Sequence, residues 1–409
     1  MLPPGPRSPR LWQTGLFGRE PLEFLTACRD AYGDVFTLRL AHEPPWVVLS
    51  SAGAAAEVLR LPPDVARAGE ANAYLEPLLG RGSVIVADGD DHLAKRRAAA
   101  ALLTGRAVGT NTAAPAGLSG GGTAAIAAAA AAKHLGRWRD GATVRVLPAM
   151  QALTLEVILT ALFGDAERVA PLGRALTRLL RFATRQSSML GVALLGYGAA
   201  ARNPVLLARR RAVLRRIPGG DEQLLTLLVA GHDTTASALA WAVDLLSRHR
   251  PSLERLREDP GFSDAVVRET LRLWPTVPLV SRRLAAPARV AGHDLPAGVA
   301  VVPCMLLIHR DPARFREPNR FLPARWVDGD GAWLPFGGGT RRCLGASFAT
   351  TTMTAVLREL ARTVDVEPAY GAPTVVGRRG HTLVPQPAEV RVVRRSDRPA
   401  ARPRAARAG

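Results

Sequence analysis

Ten residues late in the chain, Phe336-Gly-Gly-Gly-Thr-Arg-Arg-Cys-Leu-Gly345, leave the backbone little choice of path. Gly337, Gly338 and Gly339 open torsions closed to other residues, so the segment folds tightly and presents one side chain at a fixed point. That side chain is Cys343. An Ala/Thr/Leu-rich helical pattern follows from Ala346 to about Leu360, so the cysteine stands where a helix begins. The free amides and positive dipole end of a helix N-terminus stabilise a thiolate, and Leu344 and Gly345 are placed to supply such amides. A thiolate so held is a nucleophile or a metal ligand, and no Cys-protease signature surrounds this one.

A second pattern lies upstream. From Asp221 to about Ser247 the chain is apolar over most of a helical surface, as in a helix threaded through a core. Ala230-Gly-His-Asp-Thr-Thr235 breaks it with a glycine, which costs a helix roughly 1 kcal/mol, an acid and two hydroxyls. Back-bonding of a threonine to the preceding turn accounts for such a feature without function, and a polar site accounts for it with one. Two charged pairs are equally open to bland readings. His92 and Arg96, four apart, share a helix face, and Glu269 and Arg272, three apart, form an ordinary ion pair.

The spacing Phe-x-x-Gly-x-Arg-x-Cys-x-Gly resembles the haem-ligating signature of the cytochrome P450 family, matched at Phe336, Gly339, Arg341, Cys343 and Gly345. The resemblance implies that Cys343 is the metal ligand, an axial thiolate whose electron push favours O–O cleavage, and that Phe336, Arg341 and Gly345 contact the haem. Ala-Gly-x-Asp-Thr-Thr is similar to the family's oxygen-activation motif, which implies that Thr234 acts through ordered water and that Asp233 relays protons. His92 and Arg96 then bind haem propionates, joined by Arg282, which fits the distance to Gly292 and Pro296-Ala-Gly298 better than Arg283. Glu269, Arg272 and the Arg325 of Phe321-Leu-Pro-Ala-Arg-Trp326 look like the family's structural lock. Tyr74, Ala230, Val277 and Val280 would line the substrate pocket, as would the segment around Met189.

The implied fold is mainly α with a small β region, a single cytochrome P450-like domain over 21–393 with haem b between the central helix and the Cys343 loop. A proline-rich segment, 1–20, precedes it, and a basic tail, 394–409, carries no packing signal and reads as disordered. The implied reaction is monooxygenation: one atom of O2 enters a C–H bond of a small lipophilic substrate, and two electrons and two protons reduce the other to water. No nicotinamide or flavin motif is present, so electrons are expected from a separate ferredoxin and its reductase. A protein that binds haem and sequesters a ligand without turnover stands as the alternative. Gly105 to Gly122 has almost nothing that can pack and reads as a loop, and Ala124 to Ala132 is helix-prone but featureless. Only Ile217-Pro-Gly-Gly220 links two helical patterns that a longer connection and another helix separate in the family.

Charge and cysteines narrow the partners. The net charge is +19, but of 54 basic residues only Lys95 and Lys133 are lysine, and the arginines are scattered rather than gathered with aromatics. That argues against nucleic acid and favours an acidic protein partner. Cys28, Cys304 and Cys343 form no C-x-x-C pair, which fits a reducing cytoplasm. No convincing membrane anchor is visible, and a monomer is expected. The remaining pattern predicts helices at 21–32, 54–61, 147–163, 172–183, 204–217 and 263–274, and a hairpin joining Val35–Leu40 to Trp46–Ser50. A second, terminal hairpin is expected from Thr374–Val376 and Glu389–Val393.

Overall fold

The computed structural model describes residues 1–104, 120–327, 333–371 and 374–394. Its axis is the helix Glu222–Arg248, capped by the Asp221 carboxylate, which accepts from the Gln223 N–H at 2.6 Å. From Ala236 to Val243 every residue of it is buried, because helices and two sheets close around it. Helix Val146–Phe163 packs along one side. Among the described residues it is the one helix long and apolar enough to cross a membrane, and its apolar side chains go into the core.

The expected helices form within one to three residues of their predicted ends, as Pro21–Tyr32, Ala52–Arg60, Val146–Phe163, Ala170–Ala183, Pro204–Leu214, Ser263–Leu273 and Ala346–Thr363. The predicted loop 105–122 lies outside the described residues as far as 119. Gly120 already opens a helix that runs to Leu135. That helix packs closely. Ala127, Ala131 and Leu135 are fully buried between Val146–Phe163 and Ala346–Thr363, since small side chains let three helix backbones come close. A stripe of large apolar residues, the usual sign of a packed helix, is absent from it. The short link is real: Pro218–Gly220 makes a single turn before the central helix, tied across by an Arg210–Glu222 ion pair. Helices with no counterpart in the expected pattern include Gln186–Leu195, Tyr197–Ala201 and Arg250–Glu258, and the Met189 side chain lies outside the described residues.

The main sheet has five strands in the order Val35–Leu38, Trp46–Leu49, Ala300–Pro303, Arg282–Leu284 and Ala66–Arg67. Its first pair is the predicted hairpin, and Trp46–Leu49 runs parallel to Ala300–Pro303. The N-terminal segment bonds to the first strand of this sheet. Thr37 donates its N–H to Pro4 O and its hydroxyl to Pro3 O, and a helix Arg10–Arg19 buries Phe17. The terminal hairpin needs correction. Val375–Arg379 pairs with Thr382–Gln386, a strand not expected from the sequence, because Gly380 at φ +63° turns the chain back at once. Glu389–Arg394 instead joins Val364–Pro368 and Thr143–Arg145 in a three-stranded sheet. Residues 395–409, most of the predicted tail, lie outside the described residues.

Candidate active site

The Cys343 loop is shaped by its own backbone. The Cys343 N–H donates to Phe336 O at 2.9 Å and closes the loop, and Gly337 and Gly339 both stand at φ +64°. At Gly339 a side chain is doubly barred, since its Cβ would lie 2.3 Å from the Leu59 carbonyl oxygen. Gly345 precedes the helix Ala346–Thr363, and its N–H hydrogen-bonds the sulfur. Burial raises the Cys343 thiol, and the Gly345 N–H, Arg96 and Arg342 work against that rise. Yet the residue keeps exposed surface. Cys28 and Cys304 are simply core residues, their thiols pushed up to about 11 and about 12 by burial.

Four basic side chains converge near this loop. Arg341 donates to Val84 O, to Ala87 O and to the Asp88 carboxylate at 2.6 Å. Arg96, on the helix Gly89–Thr104, donates to Arg342 O at 2.8 Å. Arg282 is 8% exposed, its side chain donates among the described residues only to the adjacent Ser281 O, and it is pulled down to about 10 by burial first and then by Arg341. Its neighbour Arg283 turns the other way and pairs with Glu70 at 3.2 Å. Buried His92 is held down to about 4 by burial, then by Arg341 and Arg96. The acid facing Arg341, Arg282 and His92 is Asp88, whose oxygens also accept the Gly69 and Glu70 N–H groups. Positive charge is in excess here.

The central helix runs unbroken through Ala230–Thr235. The Thr234 hydroxyl donates to Ala230 O at 2.5 Å, the back-bond open to any helical threonine, and among the described residues no donor occupies its oxygen. Gly231 lets the helix approach Val146–Phe163, because a Cβ there would lie 3.2 Å from Ile158. Asp233 is nearly buried, taking the Gln151 amide at 2.7 Å on one oxygen and Arg379 at 3.4 Å on the other. Neither partner has a local signal, since both lie more than 80 residues away. His232 faces Thr154, whose hydroxyl is 3.0 Å from Nδ1, and burial lowers it to about 4.

Behind the loop sits a buried ion cluster. Fully buried Glu269 accepts from Arg272 Nε and Nη2 at 2.8 Å each, Arg325 Nε at 3.1 Å, Trp326 Nε1 at 2.8 Å and Leu322 N at 2.9 Å. Arg272 also donates to His309, Pro318 and Arg320 carbonyls. His309 Nε2 then accepts the Leu334 N–H at 2.8 Å, two residues before Phe336. Val280 lies 3.9 Å from where a Gly337 Cβ would stand. Tyr74 is half-buried in a ring cluster, 5.3 Å from Tyr197 and 4.6 Å from His381. Val277 and Ala230 are half-buried.

Known proteins resemble this chain in sequence and in fold. The family model described as Cytochrome P450 matches residues 261–392. The Mycobacterium tuberculosis protein assigned as cytochrome P450 135B1 is 38% identical over 415 aligned residues, which cover 89% of this chain and 85% of that one. The one assigned there as cytochrome P450 135A1 is 32% identical, covering 94% and 93%. Among solved structures, the retinoic-acid-bound cyanobacterial CYP120A1 superposes with a TM-score of 0.78 at 22% identity, covering 96% of this chain and 100% of that chain. A six-coordinated cytochrome P450 from Thermus thermophilus gives 0.72 at 26%, covering 91% and 98%. A thiol at the tip of a glycine loop, a polar stretch in a buried central helix and relatives of this identity along nearly the whole length lead to one conclusion: the chain belongs to the cytochrome P450 family and is a haem-thiolate monooxygenase.

Proposed function

We propose that this enzyme binds haem b through Cys343 and inserts one atom of O2 into a C–H bond of a small lipophilic substrate, with electrons from a separate ferredoxin-type partner. The observation that carries the reading is Cys343 itself, exposed at the tip of its glycine loop and backed by the Gly345 N–H. The fit with haem rests also on the basic cluster. Arg282, Arg341 and His92 share one carboxylate that is already occupied, Arg96 stands beside them, and the two propionates of a haem would supply the missing negative charge. When bound, haem supplies the oxygen chemistry, and the protein supplies ligation, orientation and protons.

The chain's own residues then divide the work. The Gly345 N–H and the helix start behind it favour the thiolate over the thiol. Thr234 offers a hydroxyl whose lone pairs accept while its hydrogen stays on Ala230 O. Asp233 hands on protons after exchanging its Arg379 or Gln151 contact for water. Beside the loop, an open recess of about 430 Å³ is lined by Leu93, Arg96, Arg97, Ala100 and Leu344. With Arg342 close by and a net charge of +19, it suits an acidic electron donor. The three free cysteines fit a cytosolic location.

A haem binder without turnover has less support, because the alanine-rich helix Gly120–Leu135 is well packed and Asp233 and Thr234 are both in place. The test is the absorption spectrum of the reduced, carbon-monoxide-treated protein beside Cys343→Ser. A strongly red-shifted Soret band in the parent, lost in the variant, is the expected result. A histidine-type band, or no haem uptake, would overturn the assignment.

A further inference from the structure

Five distant segments meet at one cluster away from the Cys343 loop. Phe17 comes from the first helix, Glu43 from the loop after the first strand, Tyr74 from the irregular stretch, Tyr197 from its short helix, and Arg378 and His381 from the Val375–Gln386 hairpin. The Tyr197 hydroxyl donates to Glu43 Oε1 at 2.7 Å, and the Trp46 indole approaches Oε2 at 3.4 Å. Tyr74 lies between Tyr197 and His381. Within this aromatic setting stands a guanidinium, Arg378, 4.5 Å above the Phe17 ring.

Arg378 is under-supplied with acceptors. Among the described residues it forms no ion pair, and of its five N–H donors two reach carbonyl oxygens, Phe17 O and Gly380 O, both at 3.3 Å. Burial lowers its pKa and so disfavours the charge, with only the tyrosines offsetting it. Glu43, the acid of the cluster, is already taken by Tyr197 and Trp46, and its carboxyl is raised by burial. Arg378 is half-buried, and a half-buried cation with no counter-ion among the described residues is well served by a ligand that brings the negative charge.

The hairpin also ties this cation to the reaction site. The next residue, Arg379, contacts Asp233 from the opposite face of the same strand, Leu383 N donates to Thr276 O at 3.0 Å, and Thr276 in turn reaches Thr234 O. One strand therefore has the Arg378 cluster on one side and the central helix on the other.

We propose that the lipophilic substrate carries a carboxylate, that Arg378 binds this group, and that the apolar body extends past Tyr74 toward Thr234. The proposal rests on the monooxygenase reading above and adds the head group. Bidentate pairing with a carboxylate suits a planar guanidinium, and Tyr74 and His381 supply flat walls for the first carbons of the chain.

The test is binding, read by calorimetry and by the Soret shift of the holoenzyme, for dodecanoate and its neutral methyl ester. The red-shifted carbon-monoxide band of each protein is recorded first. Its absence in the parent would sink the monooxygenase reading, whereas its presence isolates the question of the carboxylate. Parent enzyme is expected to bind the acid roughly 10- to 100-fold more tightly than the ester, the range of a charge-assisted hydrogen bond. Arg378→Gln removes most of that ratio and leaves ester binding within a few fold, while Arg378→Lys keeps part of it. Equal affinity of the parent for acid and ester overturns the proposal, as does a Gln variant that loses both ligands alike while keeping its carbon-monoxide band. If Arg378→Gln does not fold, the Lys variant and the parent ratio decide.

Discussion

Replacing Glu269 tests what holds the Cys343 loop in place. Its carboxylate accepts five hydrogen bonds at full burial, three on Oε1 and two on Oε2, and it is the counter-ion of Arg272, which is also fully buried. Breaking one member of such a pair costs about 3–5 kcal/mol, because the surviving charge is stranded. Against a total stability of about 5–15 kcal/mol, that is a fifth of the margin or more. Glu269→Gln keeps the shape and loses the charge, so it is expected to be nearly as harmful as Glu269→Ala. The double variant Glu269→Leu, Arg272→Met removes both charges and is expected to be more stable than either single charge deletion predicts, by about 2 kcal/mol or more. Urea titration followed by the carbon-monoxide band reads both global stability and the seating of Cys343, through Leu334 and His309. Simple additivity of the two single losses would refute the reasoning. It would mean that packing, not paired charge, sets the value of this cluster.

Two further expectations use the central helix and the buried histidines. Thr234→Val should retain the red-shifted band but divert O2 to peroxide, and Asp233→Asn should slow product formation about 100-fold with an enlarged solvent isotope effect. Normal coupling of O2 to product in both would remove them from the proton path. His232 and His309 are held by burial at about 4 and about 3, below the ordinary 6.5. The unfolded chain therefore takes up protons first. The stability these groups contribute is full above pH 6.5 and drains as pH falls toward 4, at about 1.4 kcal/mol per pH unit for each histidine. A urea midpoint that stays flat between pH 6.5 and 4.5 would contradict this.

What the sequence disclosed was whatever is written locally. The Cys343 loop, the long apolar helix and the Glu269–Arg272 spacing are contiguous, and each element's period or glycine pattern survives in a few tens of residues. The alanine-rich helix is easily misjudged because close packing by small residues leaves no amphipathic stripe to see. The terminal strands pair differently from the expected hairpin because Glu389–Arg394 finds its partners at Val364–Pro368 and Thr143–Arg145, across the fold. The Arg379 and Gln151 contacts to Asp233, and the Tyr74, Tyr197, Arg378 cluster, had no local signal at all. Each is assembled from segments that only the tertiary fold makes neighbours.

Strand alternation at residues 378 and 379 makes the hairpin register a functional quantity. Successive side chains on a strand point to opposite faces, so sliding Val375–Arg379 by one residue against Thr382–Gln386 would exchange the two arginines. The guanidinium now beside Tyr74 would face Asp233, and the one on Asp233 would face the aromatic cluster. A single inserted residue before Gly380 could thus alter ligand choice and proton supply together, with every residue of both sites still present in the chain. Among enzymes that share this hairpin, length at the turn is therefore a character to compare before side-chain identity.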